Sequence, residues 1–249
     1  MRPNGFERQL FCLSLSLIIC LLTVPPAALA KKRRAPAGGR TAIVVDERLA
    51  ALRERPALAA TLLQRLSRGR LLAVLGQKNA RDGLVFYQVA VTSRTRGWVQ
   101  SEALVLPARA GDDERLLRLI RGSKSFDLIE RARIFLDLFP KSTLRPEVLM
   151  LYGETAEAEA AKLSLEAARR LDQREMRAGG APLHSYFLNY SGLDRYNRQG
   201  LGFVFDASGK QFHYDGGSWR EILHRYPRSP EAAGARERLQ ALSSRLIAQ

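Results

Sequence analysis

Cysteine is almost absent from this sequence. Its two cysteines, Cys12 and Cys20, both lie within the first thirty residues. If that segment is removed on export, the remaining chain has no disulfide, no thiol nucleophile and no thiolate metal ligand. Its stability must then come from the packing of side chains.

Motifs typical of catalysis or cofactor binding are also missing. No spacing typical of metal ligands links the three histidines, His184, His213 and His224. No Gly-x-Ser-x-Gly segment marks a serine nucleophile, and no glycine-rich loop could cradle a phosphate. A solvated helix face, and not an acid/base site, is predicted for Glu154, Glu157 and Glu159. We therefore predict no enzyme activity, no metal and no cofactor.

Long hydrophobic runs are scarce, and the one candidate is the 15-residue run Leu10–Val24. Arg2 and Arg8 precede this run, and the small-x-small triplet Ala28-Leu29-Ala30 follows it. This order is typical of a cleavable secretory signal, whereas spanning a bilayer takes about 20 apolar residues. We predict a signal peptide over residues 1–30, cleaved after Ala30, and a periplasmic protein. The alternative is an inner-membrane anchor formed by residues 10–24, which four positive charges at residues 31–34 favour.

Acidic residues are too few to balance the basic ones, and the formal net charge is +15. Residues 31–111 carry 16 Lys/Arg against 5 Asp/Glu, a net of +11, whereas residues 112–249 carry 22 against 19, a net of +3. A basic exported segment can meet anionic wall polymers or lipid headgroups. Nucleic acid is not an expected partner beyond the inner membrane. Residues 31–40, rich in Gly, Pro, Ala and positive charge, are predicted to form a basic linker.

Short apolar runs separated by turn residues fill residues 41–107. This texture predicts a small antiparallel β-barrel or sandwich. The order of short motifs, LSRG followed by LLAVLG, FYQV and finally GWV at Gly97, Trp98 and Val99, resembles that of the bacterial SH3 (SH3b) family. The resemblance implies an SH3b-like barrel over residues 41–107.

In that family the glycine of the GWV motif lets the chain turn into the last strand, and the tryptophan packs across the barrel mouth. The resemblance therefore implies that Gly97 and Trp98 are structural. A large aromatic side chain contributes much of the buried area of a small barrel. Burial preference likewise favours a core role for Trp98 over a ligand-binding role.

After residue 111 the apolar residues recur every three or four positions, which predicts helices, one of them capped by Ser125. The segments FPKS, with Pro140, and YPRS, with Pro227, both lead into helical sequence. This echo resembles the tetratricopeptide-like repeats of periplasmic outer-membrane assembly proteins, in which Pro140 and Gly153 would frame the turn between helices. The resemblance implies a tetratricopeptide-like domain over residues 112–249. The two prolines are 87 positions apart, not the about 34 of a tandem array, which indicates an insertion.

The inserted segment, residues 181–217, is rich in aromatic residues. Its stretch FVFDASGKQFHY alternates apolar and polar residues around a turn, which predicts a β-hairpin. One hypothesis is that the insert binds a partner or a sugar ring through Tyr186, Tyr190, Tyr196, Phe212 and Tyr214. The alternative is favoured: the insert packs on the neighbouring helices, because contiguous exposed apolar patches are uncommon on monomers.

The predicted fold class is α+β with more than one domain: a small SH3-like β-barrel, then an α-helical tetratricopeptide-like domain with an inserted β-hairpin. The predicted function is an exported, non-catalytic binding or scaffold protein of the bacterial cell envelope. Its expected partner is an envelope protein, or peptidoglycan. The alternative is a peptidoglycan-targeting accessory protein or a cell-wall hydrolase, since SH3b domains often deliver such enzymes to the wall.

Overall fold

The structure is a computed structural model that describes residues 39–171, 174 and 179–247. The predicted signal peptide, residues 1–30, and the predicted linker up to residue 38 lie outside the described residues. The described chain begins with an antiparallel sheet and continues as helices that enclose a two-stranded hairpin. This confirms the mixed α+β class.

Seven strands form the first sheet. They are β1 (Arg40–Val44), β2 (Ala51–Arg53), β3 (Leu62–Arg65), β4 (Leu71–Asn79), β5 (Val85–Ala90), β6 (Arg96–Gln100) and β7 (Leu104–Val105). Their order across the sheet is β3-β2-β6-β5-β4-β1-β7, and neighbouring strands are antiparallel. A core cluster that includes Leu52, Val89 and Val99 is buried by these strands. The apolar and β-branched runs between turn residues therefore form strands, as their composition favours.

Seven α-helices follow among the described residues. They are α1 (Asp112–Arg121), α2 (Ser125–Leu138), α3 (Arg145–Arg170), α4 (Leu183–Ser191), α5 (Asp194–Asn197), α6 (Gly217–Arg225) and α7 (Glu231–Ile247). The hairpin, β8 (Phe203–Asp206) and β9 (Gln211–Tyr214), lies between α5 and α6 in sequence. Helix α2 packs on α3, α6 packs on α7, and α3 packs on α6. Two helix pairs are thus joined through α3 and α6.

The two echoing segments adopt the same turn. Phe139 is the C-cap residue of α2, with φ −118° and ψ 61°, and Tyr226 is the C-cap residue of α6, with φ −132° and ψ 48°. In each turn the backbone N–H of the serine three residues later donates to the carbonyl of that aromatic residue, at 3.2 Å and 3.0 Å. Pro140 and Pro227 directly follow these cap residues and are exposed. Proline lacks the N–H that a continuing helix would need, so both residues stand where a helix stops.

Gly153 lies where α3 approaches α6. A Cβ atom at this position would lie 2.5 Å from Ser218 Oγ and 2.5 Å from Trp219 Nε1. Trp219 is buried and meets Tyr214 edge to face, with ring centroids 5.3 Å apart. The missing side chain of Gly153 therefore lets the two helices come this close.

The sheet and the helices share part of their core. Ile43, Val45 and Val105 of the sheet segment belong to the same buried cluster as Leu116 and Phe135 of the helices. The described residues accordingly form one compact unit. The change from strands to helices falls at residues 107–112, where the domain boundary is predicted, but the residues on either side of it pack together.

Charged side chains reinforce this junction. The guanidinium of Arg68, whose side chain is 6% exposed, lies 2.9 Å from Asp127 Oδ1 and 2.8 Å from Glu130 Oε2 on α2. The hydrogen bond from Arg68 lowers the pKa of the Asp127 carboxyl. On the same helix, Arg131 Nε donates to the Val45 carbonyl at 3.1 Å. Helix α2 is thus tied to the sheet segment by hydrogen bonds as well as by apolar packing.

Candidate functional site

The aromatic insert does not present the binding surface proposed in one of the two hypotheses. Tyr196, Phe212 and Tyr214 are buried, with 0%, 6% and 2% of their surface exposed. For these three residues the binding hypothesis is wrong, and the alternative of packing on the helices is correct. Tyr186 is partly buried, and the side chain of Tyr190 lies outside the described residues.

The buried tyrosines also have partners for their hydroxyl groups. Tyr196 OH donates to Glu159 Oε2 at 3.1 Å, and its ring meets Phe126 edge to face at 5.1 Å. Tyr214 OH accepts the backbone N–H of Ser218 at 2.6 Å. Burial raises the pKa of both tyrosines. Both therefore remain neutral and act as core side chains with satisfied polar ends.

The carboxylates predicted to form a solvated helix face have two different environments. Glu159 is buried and accepts Ser125 Oγ at 2.7 Å. Ser125, with φ 53°, therefore donates its hydroxyl to Glu159. The prediction that Ser125 caps α2 is wrong, because its side chain makes no cap hydrogen bond. Glu157 accepts the Tyr214 backbone N–H at 2.7 Å, and its Oε1 lies 2.9 Å from Nδ1 of buried His213. The prediction is wrong for Glu157 and Glu159, because the insert covers this part of α3.

Gly97 and Trp98 occupy opposite faces of β6. A Cβ atom on Gly97 would lie 2.7 Å from the Arg53 carbonyl oxygen and 2.9 Å from Leu52 Cγ, so glycine lets β6 lie close against β2. Glycine at position 97 therefore permits this close approach, which is a different role from the turn that the resemblance implied. Trp98 is only partly buried, and the sheet's core cluster contains its neighbour Val99 instead. We predict from the sequence that Trp98 fills the core, but it lies outside the buried cluster. Successive residues of a strand point to opposite faces, so when Val99 points inward Trp98 points outward.

The strand register places Trp98 in a row of outward-facing residues. Leu62 is paired with Arg53, Arg53 with Trp98, Trp98 with Gln88, and Gln88 with Gly76. Residues directly opposite one another on neighbouring strands project from the same face of a sheet. Each of the five is partly or fully exposed. We call these five residues the Trp98 face.

The Trp98 face combines apolar area with positive charge and an amide. Arg96 and Gln100 flank it, because they stand two residues before and after Trp98 on the same strand. The guanidinium of Arg53 donates to the Ala60 carbonyl at 2.8 Å, which fixes its position. An indole offers a surface for stacking, and guanidinium groups pair with carboxylates. The Trp98 face has no nucleophile and no carboxylate, so its chemistry suits recognition.

One signal in the sequence points to the outward position of Trp98. In RGWVQ the small or apolar residues Gly97 and Val99 alternate with the polar residues Arg96 and Gln100. Such alternation indicates a half-buried strand, and it puts Trp98 on the polar side. The prediction of a core role follows the general burial preference of tryptophan and gives this alternation too little weight.

Comparisons with protein-family models, with curated proteins and with solved structures gave no match. In the part of the chain that the structure describes, no helix is both long and apolar enough to cross a membrane. Within the same ranges, no group of three or more His, Cys, Asp or Glu could hold a metal ion.

Proposed function

We propose that this protein is an exported, non-catalytic binding or scaffold protein of the bacterial cell envelope, and that it recognises an envelope protein through the Trp98 face. The proposed signal peptide, residues 1–30, would deliver it to the periplasm. One observation carries the proposal: a partly exposed indole stands in the middle of a row of partly or fully exposed residues that crosses five strands. Exposed aromatic and arginine side chains are the types enriched where proteins bind one another.

The proposal includes the architecture. The sheet segment is an SH3b-like barrel, supported by its antiparallel strands and by Gly97 at the close crossing of β6 and β2. The helical region is tetratricopeptide-like, supported by two helix pairs that share one turn geometry and by Gly153 at their contact. The rigid helical region would then hold the sheet in a fixed orientation, since the two share a core.

Two carboxylates of α3 that the insert contacts argue for a binding protein over a cell-wall hydrolase. Glu157, beside His213, and Glu159, beside Tyr196, are each occupied by hydrogen bonds within the protein. A general acid or base must reach its substrate, typically within about 3 Å or through one water. The envelope partner would thus be bound without covalent chemistry.

Two measurements test the proposal. Intact-mass analysis of protein recovered from the periplasm should show a chain that begins at residue 31. Cross-linking and capture from envelope extract should recover a protein partner with the wild type and with Leu165→Ala, but not with Trp98→Ala. Leu165 is a matched control because it is an exposed apolar residue, 58% exposed, on α3. If the wild type captures no protein and sediments with purified peptidoglycan in moderate salt, the wall-targeting alternative replaces this proposal.

A further inference from the structure

The sheet ends in an open strand edge. Strand β3 is the terminal strand, and β2 is its one sheet neighbour among the described residues. All four residues of β3 are exposed. An edge strand presents unpaired backbone N–H and C=O groups, which can pair with an extended segment of another chain.

Exposed leucines concentrate at this edge. Of the seven large hydrophobic residues exposed in the described chain, three lie in the β2–β3 hairpin: Leu58, Leu62 and Leu63 are 47%, 44% and 49% exposed. Leu63 is the extra residue at a register shift, so it has no partner on β2. Proteins usually protect an edge with Lys, Pro, inward charges, a short strand or a bulge, and of these β3 has the short strand and the bulge. Leucines at the edge instead provide apolar contacts for an added strand.

The positive charge around this edge indicates which kind of segment can bind to it. Residues 48–70 contain six arginines and a single acidic residue, Glu54. Arg48 and Arg68 are already paired with carboxylates of this chain. Arg53, Arg55 and Arg65 form no ion pair within the described part of the chain. A second copy of this protein would bring the same positive charge to the edge, and so would this chain's own basic residues 31–34. Electrostatic complementarity therefore favours an acidic partner.

We infer that β3 accepts an extended acidic segment of another protein as an added strand, with apolar side chains of that segment on Leu62 or Leu63. This inference rests on the proposed function and deepens it, because Leu62 and Arg53 belong to the Trp98 face; it adds the open strand edge and the chemistry of the occupant. Backbone hydrogen bonds to β3 would align the segment. Arg53, Arg55 and Arg65 would pair with its carboxylates, and added salt would weaken these pairs because they are exposed to solvent.

A synthetic peptide of alternating valine and glutamate is a suitable probe for the protein purified from the envelope fraction. Fluorescence anisotropy measures its binding, and amide hydrogen exchange measures protection of β3. We expect binding that weakens with salt, and slower exchange at Leu62–Arg65. Arg65→Glu should weaken binding about three- to tenfold, because it removes one exposed attraction and adds a repulsion. Arg81→Glu makes the same charge change in the β4–β5 turn and should leave binding unchanged.

Three controls can overturn the inference. Strand addition needs the peptide's N–H groups, so a peptide N-methylated at alternate residues must bind much more weakly; equal binding contradicts it. A lysine-for-glutamate peptide that binds as well contradicts the acidic chemistry. A dimer seen by sedimentation velocity without peptide, and abolished by Leu63→Lys, assigns the edge to a second copy instead. If no peptide binds while Trp98→Ala still abolishes capture of an envelope protein, only the strand-addition inference fails and the proposed function stands.

Discussion

Substitution of Gly153 by alanine tests the contact between α3 and α6 most sharply. The new Cβ atom would lie 2.5 Å from Ser218 Oγ and Trp219 Nε1, and 2.8 Å from Trp219 Cε2. Forcing an extra carbon into a packed site typically costs about 1–3 kcal/mol. Alanine in a helix interior recovers about 0.5–1 kcal/mol relative to glycine. The net expectation is a loss of up to about 2.5 kcal/mol, centred near about 1.2 kcal/mol, and for a chain of this size the central value lowers Tm by roughly 2–5 °C.

The assay is thermal and urea unfolding followed by circular dichroism. Gly234→Ala is the matched control, because Gly234 also lies within a helix, α7, but its Cβ would face the flexible end of Met150 at 3.1 Å. That variant should be as stable as the wild type or slightly more stable, since it gains helix propensity. If Gly153→Ala is as stable as Gly234→Ala, the conclusion that the close approach of α3 and α6 requires glycine at position 153 is wrong.

Three further changes probe the rest of the fold. The pKa of Asp46 is lowered, mainly by the hydrogen bond from Arg48. The ionised carboxylate therefore stabilises the fold above the unfolded pKa of about 4, and this stability is lost as the pH falls through the lowered, folded pKa. Urea unfolding should show that Asp46→Asn loses less free energy of unfolding between about pH 6 and about pH 3 than the wild type does. Tyr196→Phe removes a hydrogen bond to buried Glu159 and should cost about 1–3 kcal/mol by urea unfolding. Arg131→Met leaves the Val45 carbonyl without this donor and should cost a similar amount; an unchanged midpoint would show that the junction does not depend on it.

Periodicity in the sequence is enough to predict the class of fold and several of its elements. The alternation of Phe203, Phe205, Phe212 and Tyr214 predicts the β8–β9 hairpin, which the structure contains. Apolar residues at steps of three and four predict α2, which runs over Ser125–Leu138. These predictions succeed because a strand or a helix imposes its own local repeat on the buried face.

Contacts between distant parts of the sequence are not encoded by local patterns. Glu159 is 34 residues from Ser125 and 37 from Tyr196 in sequence, yet it bonds both. The helical periodicity of α3 predicts on which face of the helix Glu159 lies. It does not predict that the insert covers that face. Trp98 shows the reverse case: its residue type favours burial, and the register of β2, β5 and β6 leaves it partly exposed.

The direct test of the proposed function is to measure both stability and binding for Trp98→Ala, with Trp219→Ala as the buried comparison. Trp219 is 2% exposed, so its truncation should cost about 3–5 kcal/mol. Trp98 is only partly buried, so its truncation should cost about 1–2 kcal/mol. We predict that Trp98→Ala stays folded at the assay temperature and no longer captures the envelope partner that the wild type captures. A Trp98→Ala protein that loses as much stability as Trp219→Ala, or that captures the partner as well as the wild type does, would contradict the assignment of the Trp98 face as the binding surface.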